Sequence, residues 1–136
     1  MSSHPPPINP PLWPKPDWIK ELPPPIQIGL EEVYALAGRG ESVLAVAGLR
    51  MLIELVARQA GCPTQPQSKL LNGLHTKGLL GTQERDRLRQ VMGCGNAAIH
   101  EGTPARGERL LYLLRCVEHL LQGTFVLRHP PDSRLG

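Results

Sequence analysis

Ten of the chain's fifteen prolines fall within its first 25 residues. Each proline removes a backbone donor and holds φ near one value, so this stretch can be neither regular helix nor central strand. Residues 1–25 therefore read as an extended, polyproline-rich arm. Trp13 and Trp18 interrupt it, and indoles of that size are expected to pin the arm to the domain or to a protein partner. About 95 to 100 residues remain for a folded unit, enough for one core. The domain is accordingly placed at residues 26–123, with 124–136, which contain Pro130 and Pro131, as a loose tail.

Aromatic residues make up only 4% of the chain, while Leu, Ala, Glu, Arg and Gln dominate its middle. Small β domains lean on β-branched and aromatic residues, so the composition predicts an all-α fold. The formal net charge is +3, which permits contact with nucleic acid without demanding it. Cys62, Cys94 and Cys116 are odd in number and form no CxxC pair, so a reducing cytoplasm is the expected compartment and a disulfide framework is not. Cys116 and His119, three apart, could supply half of a metal site, but no second half follows, and neither metal nor cofactor is expected. There is no run of about 18 apolar residues and no basic–apolar leader at the start, so neither a membrane helix nor a secretory signal is expected.

The helical periodicity begins at Ile26, where Leu30, Val33, Tyr34 and Ala37 recur at helical spacing before Gly38 and Gly40. A second helix is predicted from about Glu41 to Ala60, ended by Gly61. It is apolar around most of its circumference, with Arg50, Glu54 and Arg58 four apart on one stripe. Such a helix must be covered on several sides, at the centre of a bundle or at an interface between two subunits. A short helix is predicted over 67–77, then a long one from Gln83 to about His100 with Thr82 as its cap. The last spans roughly Pro104 to Gln122, after Thr103, and Gly123 should stop it. Four to five helices in a small antiparallel bundle are thus expected.

The stretch from Met92 to Glu101 places Gly93 and Gly95 inside a predicted helix, at about 1 kcal/mol each relative to Ala. Small residues there allow another helix to approach closely. Asn96 and His100, four apart, need partners if buried, and Arg50 and Glu54 on the apolar helix could supply them. Arg85 and Arg89 share a face and are candidate phosphate contacts, although Asp86 sits between them.

Arg50-Met51-Leu52-Ile53-Glu54 followed by Gly95-Asn96-Ala97-Ala98-Ile99-His100 resembles the R-x-x-x-E … G-N-x-A-x-H pattern of the family called domain of unknown function 4145. That family is similar to the HEPN superfamily of helical domains, many of them ribonucleases in bacterial defence or toxin–antitoxin systems. The resemblance covers about residues 26–123. It implies a HEPN-like bundle, a homodimer and, in its catalytic form, a metal-independent endoribonuclease with His100 and Asn96 in the site and RNA as partner. The superfamily's Arg-x(4–6)-His arginine falls on Gly95 here, and the position used by closer relatives holds Met92. Arg89 lies about 16 Å along the helix from His100. Arg50 is expected to be neutralised by Glu54, and a guanidinium so paired is a poor clamp for a developing phosphorane. A dimerising interaction module with a degenerate polar site at His100, Asn96, Arg50 and Glu54 is therefore expected ahead of a working nuclease.

Overall fold

The computed structural model describes residues 15–127, and Trp13 lies outside them. Among the described residues the chain is all-helical, with five α-helices and no strand: α1 Pro24–Gly38, α2 Ser42–Gln59, α3 Leu70–Thr76, α4 Thr82–Glu101 and α5 Gly107–Leu121. No helix among them is long and apolar enough to cross a membrane.

Residues 17–25 differ from the extended arm expected there. Asp17–Glu21 winds into a 3₁₀ turn that buries Ile19, with Leu22 buried just beyond it and Trp18 partly buried against the core. Helix α1 then opens on Pro24 and Pro25 themselves. Prolines are tolerated in a first helical turn because the amides they lack have no intrahelical acceptor there. The same prolines that forbid helix in mid-arm therefore begin one at its end.

Helix α2 is central. Leu49, Leu52, Ile53 and Val56 are completely buried along one face, each contributing roughly 1.5–3 kcal/mol. Glycines set how closely its neighbours approach: a Cβ at Gly48 would lie 2.7 Å from Val33 Cγ2 of α1, and one at Gly95 of α4 would lie 2.5 Å from Arg50 Cβ. Helix α2 ends where Gly61 takes φ +75° and the Lys77 ammonium donates to the Ala60 carbonyl at 2.6 Å, satisfying an end carbonyl.

Two helix starts differ from expectation. Thr82 is the first residue of α4 and not its cap; the Gly81 amide donates to the Glu84 carboxylate at 2.9 Å instead. Helix α5 begins at Gly107 rather than Pro104, because Gly107 takes φ +57°, a left-handed conformation through which no right-handed helix from Pro104 could run. Nor does Gly123 stop α5. The chain continues as a wide π turn, Gln122–Val126, which brings Phe125 against the core beside the Asp17–Glu21 turn.

Candidate functional site

The sequence nominates the crossing of α2 and α4. Arg50 and Glu54, one turn apart on α2, form an ion pair at 3.4 Å with side chains only 21% and 16% exposed. Little water reaches the pair, so it is held more firmly than a surface bridge and each charge depends on the other. Arg50 Nε is buried and has no hydrogen-bond partner among the described residues. The aliphatic stem of Arg50 is the surface on which Gly95 rests, with its Cγ and Cδ 3.2 and 3.1 Å from where a Cβ would stand. Any side chain at position 95 would collide with it.

The amide–imidazole pair does not join this contact. Asn96 Oδ1 accepts from Gln67 Nε2 at 3.1 Å, and Asn96 Nδ2 donates to Gln67 Oε1 at 3.4 Å. This reciprocal amide pair ties α4 to the turn that precedes α3. His100 is exposed and has no side-chain hydrogen bond among the described residues. The single buried network expected of Arg50, Glu54, Asn96 and His100 is therefore replaced by two separate pairs and an isolated imidazole. The cause is angular: with Gly95 facing α2, Asn96 stands about 100° and His100 about 140° round the helix from it. Spacing of four keeps residues on one side, but each such step turns them by about 40°.

Arg85 and Arg89 share a face as expected. They converge on the Asn72 side-chain oxygen of α3, at 3.4 and 3.5 Å. Both also reach Asp86, at 3.7 and 3.0 Å, which offsets their charge.

Helices α4 and α5 run in opposite directions, for Glu84 meets His119 at 2.8 Å near one end and Cys94 meets Arg109 at 3.5 Å near the other. His119 thus bridges helices rather than joining Cys116 in a half-site, and no cluster of three ligand-type side chains exists among the described residues. Burial pushes the Cys116 thiol above its ordinary range, opposed by a hydrogen bond from Tyr112 and by the fields of Arg87 and Arg109.

A further polar pair escaped the reading of the sequence. The Tyr34 hydroxyl donates to buried Glu118 at 2.5 Å, and Arg115 donates to the other carboxylate oxygen at 2.8 Å. Burial, then the bond to Glu118 and its charge, push the Tyr34 phenol far above its ordinary range. The signal was present: Glu118 interrupts the apolar face formed by Leu114, Val117 and Leu121, where a charge needs a partner.

A family model described as "Domain of unknown function (DUF4145)" matches residues 31–132, more than half of the chain. No curated protein and no solved structure matches it.

Proposed function

The chain belongs to the domain of unknown function 4145 family, and from that premise we propose that it is a non-catalytic, HEPN-like interaction module that forms a homodimer through α2. The observation carrying the non-catalytic half is the use made of the motif residues. Gly95, at the position of the superfamily arginine, packs on the Arg50 stem. Arg50 is held by Glu54 and Asn96 by Gln67, which leaves His100 alone at the helix end. Phosphoryl transfer needs a proton shuttle and a free cation around one phosphate, and these groups supply the first without the second.

The interaction half is supported by the outer face of α2. Leu44 and Met51 are 56% and 45% exposed there. Seven residues separate Leu44 from Met51, the repeat of a helix–helix seam. We take this exposed apolar repeat as the association face. A bacterial defence or toxin–antitoxin setting in the cytoplasm belongs to the same proposal.

Light scattering at micromolar concentration tests it. The wild type should be dimeric, Met51→Glu monomeric with its helical circular dichroism intact, and His100→Ala dimeric. A monomeric wild type, or RNA cleavage abolished by His100→Ala without loss of stability, would overturn the reading in favour of an endoribonuclease using His100 and Asn96.

A further inference from the structure

The structure assigns a second site, unrelated to the motif residues: we propose that the trough between α4 and α5 binds a small organic acid, a single carboxylate carried on an apolar body. The trough is an open depression of about 450 Å³, within the usual size range for small-molecule pockets. Two cross-helix contacts bracket it. The Glu84–His119 bridge crosses at one end, and Arg109, reaching Gln90 and Cys94 across the helix pair, crosses beyond the other. The ten residues from Arg109 to His119 limit its length to about 15 Å. A compact ligand fits between two such rungs.

The lining names the ligand's chemistry. Leu88 and Leu120 are buried and line the trough together with Cys116 and the solvent-exposed Tyr112. Apolar lining with an aromatic ring takes an apolar body. Arg87 lines it from α4 and Arg115 from α5. Arg115 is already committed to Glu118, but Arg87 is exposed and has no carboxylate partner among the described residues. A free guanidinium fork matches one planar carboxylate in a bidentate pair. Glu84 at the end of the trough opposes a second negative charge, which favours a monoanion over a phosphate dianion.

Titration of the full chain with 4-phenylbutyrate, followed by backbone amide shifts, tests the assignment, with acetate and 4-phenylbutanol as single-feature controls. Saturable shifts centred on Arg87, Tyr112 and Cys116 are expected, with both controls weaker by about tenfold or more. Arg87→Gln should weaken phenylbutyrate by about tenfold at unchanged melting temperature, while Arg58→Gln, on α2, should leave it alone. Absence of saturation at millimolar ligand, shifts centred elsewhere, or acetate equal to phenylbutyrate would overturn the proposal. The oligomeric state does not enter any of these readouts, so this site and the dimer stand or fall separately.

Discussion

Alanine at position 95 and alanine at position 93 are the same change, two residues apart on one helix, and should have opposite signs. At Gly95 the new Cβ would stand 2.5 Å from Arg50 Cβ, whereas carbon atoms rest at about 3.5–4.0 Å. Arg50 Cβ is fixed to the α2 backbone and cannot swing aside as the far end of a long side chain would. The helices must separate by about 1 Å, which admits water to the Arg50–Glu54 pair and loosens the apolar contacts between the helices. Overpacking of this kind costs about 1–3 kcal/mol, and the helix propensity gained by replacing glycine returns about 0.5–1 kcal/mol. Because the clash is with a backbone-fixed atom, the upper part of the overpacking range applies, about 2–3 kcal/mol. The net expectation is a loss of about 1–2.5 kcal/mol, or roughly 4–20 °C in melting temperature for a domain of this size. At Gly93 nothing lies within 4 Å of the new Cβ, so only the propensity term survives and the variant should gain about 0.5–1 kcal/mol. Urea denaturation followed by circular dichroism measures both. If Gly95→Ala proves as stable as the wild type, α2 and α4 do not meet at Arg50, and the structural role given to the motif fails with them.

Tyr34→Phe should cost about 1.5–3 kcal/mol in urea denaturation, because it strips a hydrogen bond from a buried carboxylate; a cost below about 0.5 kcal/mol would mean that Glu118 is adequately solvated. The same pair predicts a pH dependence. The folded-state pKa of Tyr34 is raised, so its stabilisation is complete below the ordinary phenol pKa of about 10 and is lost as pH climbs beyond it. Wild-type stability should therefore decline more steeply above about pH 10 than that of Tyr34→Phe, and parallel curves would refute the assignment. Asn96→Ala should lose about 0.5–1.5 kcal/mol through its orphaned Gln67 partner. His100→Ala, on an exposed imidazole, should stay within about 0.5 kcal/mol of wild type, and thermal melts of the two variants side by side check the contrast.

Much of the helical layout can be read from the chain because helices form locally. The run of Leu30, Val33, Tyr34 and Ala37 and the stop at Gly61 declare themselves through spacings of three and four and through end signals a few residues away. The misread ends share one cause, backbone context: Pro24 serves as a first-turn residue, and Gly107 in a left-handed conformation delays α5. The candidate site was less legible. Gly95 as a close-approach residue followed from its own sequence context, but its contact, the Arg50 stem, depends on where two helices cross. Gln67, the first residue of the helix predicted over 67–77, sits instead in a 3₁₀ turn before α3, and no local pattern names it as the partner of Asn96.

The amino-acid order alone settled that this chain is helical and that α2 must lie against several neighbours, since local hydrogen bonding and the distribution of apolar side chains round a helix need no knowledge of the rest of the molecule. Folding in three dimensions decided which polar groups met. Glu118 found Tyr34 across 84 positions, Asn96 found Gln67, and His100 found no partner among the described residues, because a hydrogen bond requires distance and angle within tenths of an ångström and tens of degrees. Those tolerances are set by crossing geometry, which a one-dimensional pattern does not contain.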